Sequence, residues 1–144
     1  MHKELEEFRH RLQALKPAPF DDVVADLYEL VEPVEELDNA KELIPEVFAF
    51  MEANPEVDIG SPGPLVHFVE RFYPSYLEQL IASLERQPTH STLWMLNRIL
   101  NSTHTDDLRE NLIAVLRSVH SNSKASTIVK NEAAEFLEHQ GKNG

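Results

Sequence analysis

The sequence predicts an all-α protein of about seven or eight helices stacked as antiparallel pairs, a HEAT- or armadillo-like α-α superhelix. Three observations predict it. Apolar residues recur at three- and four-residue spacings almost throughout, and sustained apolar/polar alternation is hard to find. Prolines, glycines and a Ser-Asn-Ser run punctuate the chain at helix-length intervals. A chain of 144 residues can bury one substantial core, so a single helical domain over 1–144 is expected. Within it fall acidic helices over 1–58, a Pro/Gly loop at about 54–64 and more neutral helices over 65–140.

Leu5, Phe8, Leu12 and Leu15 make the first amphipathic segment, which Lys16-Pro17-Ala18-Pro19 stops. Val23, Val24, Leu27, Tyr28 and Val31 make the second, with Asp22, Asp26 and Glu29 at i, i+4 and i+7 on one outward stripe. Pro33 should end or kink that helix. Asp38 or Asn39 is placed to cap the next one, whose Leu43, Ile44, Val47, Phe48 and Met51 face inward and which is expected to bend at Pro45. The stretch from Asn54-Pro55 to Gly63-Pro64 reads as the one extended loop, with Gly60 and Gly63 available for positive φ. Helices then follow at about Leu65–Phe72, Ser75–Arg86, Ser91–Leu100, Asp106–His120 and Ala125–His139, with Thr105 or Asp106 as an N-cap.

A weak internal repeat supports the stacking. Leu43–Pro55 aligns on Tyr76–Pro88 at an offset of 33 residues, and Leu80–Leu84 aligns on Leu112–Leu116 at 32. Recurrence of one kind of helix once per helix pair is the pattern of a stacked α-hairpin array.

Charge is the strongest functional signal. The net charge is −12, and residues 1–60 hold 16 acids against 5 Lys/Arg, whereas residues 61–144 hold 9 against 8. Thirteen carboxylates lie between Asp21 and Asp58, opposed there only by Lys41. So dense a set repels itself and attracts a cationic partner. Nucleic acid and anionic membrane are therefore excluded as expected partners. The candidate partner-binding residues are Asp22, Asp26, Glu29, Glu32, Glu35, Glu36, Glu42 and Glu46, with Tyr28, and Phe20 or Phe50 if exposed, as aromatic anchors.

Catalytic chemistry finds little support. Without cysteine there is no disulfide scaffold, thiolate metal site or thiol nucleophile. The seven histidines, His2, His10, His67, His90, His104, His120 and His139, form no metal-binding motif. His67 and Glu70, three residues apart on one helix face, form one carboxylate–imidazole pair, where a helical metal site needs several directed into one core. Neither a glycine-rich phosphate loop nor a Gly-x-Ser-x-Gly elbow is present. Catalytic, cofactor and metal residues are accordingly expected to be none. Trp94, Asn97 and Asn101 share a stripe that can face a neighbouring helix or a partner, with internal use expected, and Arg98 is a candidate to neutralise part of the acidic half. The charged start Met1-His2-Lys3-Glu4-Leu5-Glu6-Glu7 lacks the apolar run of a secretory signal, so a cytoplasmic protein is expected.

The run Gly60-Ser61-Pro62-Gly63-Pro64-Leu65-Val66-His67-Phe68-Val69-Glu70, then Tyr76-Leu77, then Thr92-Leu93-Trp94-Met95-Leu96-Asn97-Arg98-Ile99-Leu100-Asn101, resembles the small helical immunity proteins of bacterial polymorphic toxin and contact-dependent growth inhibition systems. The resemblance covers roughly residues 43–137. It implies a protein that binds the C-terminal toxic domain of a cognate toxin, often a nuclease, and blocks it inside the producing cell. It carries over no residue-level interface. The alternative is a helical-repeat scaffold that binds another cellular protein and inhibits no enzyme.

Overall fold

The computed structural model describes residues 3–18, 20–60, 62–102 and 105–143. Pro19, Ser61, His2 and His104, named above, lie outside them. Among the described residues there are eight α-helices and no strand. In chain order they are α1 (Lys3–Ala14), α2 (Val24–Val31), α3 (Ile44–Ala53), α4 (Gly63–Glu70), α5 (Leu77–Arg86), α6 (His90–Ser102), α7 (Asp106–Ser121) and α8 (Thr127–Asn143). A single 3₁₀ turn, Ala40–Leu43, leads into α3.

The apolar spacing produces these helices as expected. Leu5, Phe8 and Leu12 of α1 are buried, as are Leu27, Leu30 and Val31 of α2. Pro33 has no N–H to continue α2, which ends at Val31, and the chain winds on through turns to Glu36.

Two local expectations, the bend at Pro45 and the cap before α3, are corrected, and the N-cap position of α7 is met at Thr105 without a side-chain bond. Pro45 does not bend α3 but sits in its first turn, where a missing N–H costs nothing. Asn39 precedes the 3₁₀ turn without a side-chain cap, and Thr105 occupies the N-cap position of α7 through its backbone alone. The cap that does form lies elsewhere. Thr89 Oγ1 accepts from Thr92 N at 3.0 Å while Thr92 Oγ1 accepts from Thr89 N at 3.2 Å, a reciprocal and buried capping box that starts α6.

The segment between α3 and α4 is the longest stretch between two helices after the 3₁₀ turn, but Val57 and Ile59 within it are buried, so it is pinned to the core. Gly60 and Gly63 do adopt positive φ, 112° and 85°. At Gly60 a side chain is excluded twice over, because a Cβ would lie 2.4 Å from the Gly63 Cα.

The aligned segments of the internal repeat become helices, with bounds that match between α3 and α5 at the 33-residue offset. Buried Val47, Phe50 and Met51 of α3 correspond to buried Leu80, Ser83 and Leu84 of α5, and Leu112 and Leu116 of α7 repeat the pattern. Helix α1 packs on α3, α3 on α5 and α5 on α7, while α2 packs on α4 and α6 on α8. The buried apolar residues form one continuous cluster from Leu5 to Ala133. Polar ties close the joints. Glu52 of α3 takes two hydrogen bonds from Arg86 and one from Ser83 of α5, and Asn122 Nδ2 donates to Glu85 O at 3.1 Å. No described helix is long and apolar enough to cross a membrane.

Candidate partner-binding face

The acidic segment is built on α2, the turns after it and the 3₁₀ turn. Asp26 and Glu29 lie on α2, Glu32, Glu35 and Glu36 on the following turns and Glu42 in the 3₁₀ turn, and all six are exposed. Asp22 is exposed too but stands before the helix, its Oδ1 accepting from Val24 N at 3.2 Å. The three-member helical stripe is thus a pair plus a helix-entry residue, because α2 begins one residue later than its apolar pattern. Arg71, at the end of α4, donates to the Glu35 carbonyl and so fixes the acidic turn against that helix.

Glu46 differs from the other seven. It lies half-buried in the first turn of α3, where Arg9 Nε donates to its Oε1 at 2.9 Å. Its Oε2 is enclosed and receives no hydrogen bond. Beside it a cleft of about 480 Å³ opens between α1 and α3, walled by Leu12, Leu15, Ala49, Phe50 and Ala53. Of the thirteen carboxylates between Asp21 and Asp58, only Glu46 and Glu52 have an ion pair to a described cation.

Of the three candidate anchors, Phe20 is 99% and Tyr28 54% exposed, whereas Phe50 is buried on the inner side of α3. Water-facing aromatics within a carboxylate-rich segment combine the apolar area and the charge that a protein interface uses at its centre and its rim.

The other singled-out residues are used internally. Glu70 is held bidentately by Arg98, with Arg98 Nε to Oε2 at 2.7 Å and Nη2 to Oε1 at 3.0 Å, and His67 Nδ1 stands 3.8 Å from Oε1. Arg98 therefore neutralises a carboxylate of the near-neutral half, a correction to its expected role toward the acidic half. Among the described residues no group of three or more His, Asp and Glu side chains is arranged to hold a metal. The Trp94, Asn97, Asn101 stripe faces α8 as expected. Trp94 Nε1 donates to Glu132 Oε2 at 3.2 Å, and Gln140 Nε2 donates to Asn97 Oδ1 at 2.9 Å and Asn101 Oδ1 at 2.8 Å. His90 Nδ1 lies 2.9 Å from both Glu132 oxygens, so one α8 carboxylate serves two α6 side chains. Sequence reasoning missed Glu132 and Gln140, since both read as ordinary polar positions on an amphipathic helix.

No family model, characterised protein or solved structure matches this chain.

Proposed function

We propose that the protein is an immunity-type inhibitor, which binds the toxic domain of a cognate toxin through the acidic α2 face and so keeps it from its substrate. One observation carries the reading. Outside Glu46 and Glu52, the carboxylates between Asp21 and Asp58 have no described cation, and the same segment holds exposed Phe20 and Tyr28. Unpaired carboxylates lower the stability of the free protein through mutual repulsion, a cost that a basic partner removes on binding. A nuclease toxin is such a partner, because the cleft that binds a polyanion is itself basic. The resemblance of residues 43–137 to helical immunity proteins points the same way.

The contacts along α1, α3, α5 and α7, with buried positions recurring at 33 and 32 residues, support reading the stack as HEAT- or armadillo-like. A crystal structure in which one constant rotation relates successive helix pairs would agree with this. Unequal rotations would remove it.

The test of function is co-expression and co-purification with the product of the adjacent upstream gene. A one-to-one complex is expected, with association that slows steeply as salt rises. Asp26→Lys, Glu29→Lys and Glu32→Lys together should slow association at least about tenfold and abolish protection of cells making the toxin. Unchanged protection by the triple variant would remove the acidic face from the mechanism, and absence of any complex would favour the scaffold reading.

A further inference from the structure

A second cleft, of about 390 Å³, opens where α4 and α6 end and the Tyr73–Tyr76 turn crosses between them. Among the described residues its walls include Glu70, Tyr73, Tyr76, Arg98, Ile99 and Asn101. Tyr76 is only 1% exposed, yet its hydroxyl makes no hydrogen bond to any described group. The hydroxyl is not an enclosed orphan either, since Glu46 Oε2 is the one such side-chain atom among the described residues. The small surface that Tyr76 keeps therefore lies at its hydroxyl and opens on the cleft.

The neighbouring groups are half-committed in a specific way. Arg98 uses Nε and Nη2 on Glu70 and leaves Nη1 without a described acceptor. Asn101 accepts from Gln140 through Oδ1 and leaves Nδ2 unused. Each Glu70 oxygen takes one hydrogen bond from Arg98 and retains acceptor capacity. Tyr73, 45% exposed, packs its ring edge-on against Tyr76 at 6.0 Å between centroids and gives the cleft an aromatic wall. Burial first, and then the Glu70 charge, push the Tyr76 phenol well above the usual tyrosine range, so it stays a donor.

Among the described residues the cleft thus offers donors, the acceptor oxygens of Glu70 and an aromatic wall, and the charges of Glu70 and Arg98 cancel. An anion would meet Glu70 and a cation would meet Arg98, each with unfavourable desolvation. A neutral planar group carrying both a carbonyl and an N–H loses to neither. We propose that this cleft is a binding site for a neutral carboxamide, its carbonyl accepting from Tyr76 and its N–H₂ donating to Glu70, with an attached ring or stem against Tyr73. The site is separate from the acidic face and does not depend on the inhibitor reading.

The test is titration of the ¹⁵N-labelled full chain with benzamide, benzoate and benzamidine, which share a shape and differ in charge, and with N-acetylglutamine N-methylamide. The Asn101 side-chain N–H₂ and the backbone signals of Tyr73 and Tyr76 are the readout. Benzamide is expected to shift them with a dissociation constant on the order of millimolar, as suits so small a ligand, and at least about tenfold more tightly than its charged analogues. Tyr76→Phe, which keeps the ring and should melt as the parent does, is expected to weaken benzamide about tenfold. Response to benzamide assigns the site to a free aromatic amide, and response to the glutamine derivative alone assigns it to a side chain of a protein partner; either supports the proposal. Preference for benzoate or benzamidine, no response to either amide, or undiminished benzamide binding by the folded Tyr76→Phe protein would overturn it.

Discussion

At the scale of single residues, the structure separates groups that the sequence lists as equals. Of Tyr28, Tyr73 and Tyr76 only Tyr76 is enclosed, and burial together with the Glu70 carboxylate raises its phenol far above the usual range. The sign follows from the folded state holding this proton more firmly than the unfolded chain. The contribution to stability is fully present below about pH 10, the ordinary tyrosine value, and is lost as pH rises from there through the higher folded value. Stability should accordingly fall above about pH 10, and less steeply in Tyr76→Phe, as read by urea unfolding at a series of alkaline pH values. Equal slopes in the two proteins would show that Tyr76 is not the group responsible. The eight carboxylates singled out from sequence also divide. Seven are exposed, and Glu46 turns inward to Arg9. Nothing in the local pattern announces this, because Arg9 lies 37 residues away and the pairing exists only once α1 packs on α3.

At the scale of elements, helix positions were legible and side-chain capping bonds were not. Periodicity and prolines locate all eight helices to within a few residues, since an apolar stripe and a missing N–H act locally. Caps depend on side-chain geometry at one residue, and Asn39 and Thr105, both good N-cap types, make no side-chain cap. The box at α6 uses Thr92 where Glu or Gln is the recognised signature, so Thr-x-x-Thr passed unnoticed. Removing it should be costly because both partners are buried. Thr89→Ala is expected to destabilise by about 1–2 kcal/mol, whereas Thr105→Ala, which loses no side-chain bond, should stay within about 0.5 kcal/mol of the parent. Thermal melts of the two variants check this, and equal losses would contradict the capping assignment.

At the scale of the whole molecule, the imbalance between a −11 half and a −1 half governs behaviour in solution. The surface ion pairs are few and partly exposed, each worth little, while the unpaired carboxylates on and after α2 repel one another. Screening should therefore help the free protein more than it harms it. The melting temperature is expected to rise between about 10 and 150 mM NaCl, over which the Debye length shrinks from about 30 to 8 Å. The triple charge reversal on and just after α2 should melt higher than the parent at low salt and respond less to added salt. A parent protein indifferent to salt would mean that the acidic field costs the fold nothing, and would weaken the argument that a basic partner is needed to offset it.

The sequence by itself determined the helical class, the positions of the helices to within a few residues, the repeat of buried positions and the crowding of carboxylates into the first half. All of these follow from neighbours within a few turns of chain. Tertiary packing alone decided that Phe50 is buried while Phe20 and Tyr28 face water, that Arg98 serves Glu70, that Glu132 and Gln140 receive the Trp94 stripe, and that Tyr76 closes a cleft with its hydroxyl free. The physical reason is common to them. A helical period fixes which side chains share a face, but the identity of the opposing face depends on how distant helices dock, and burial and pairing are properties of that docking.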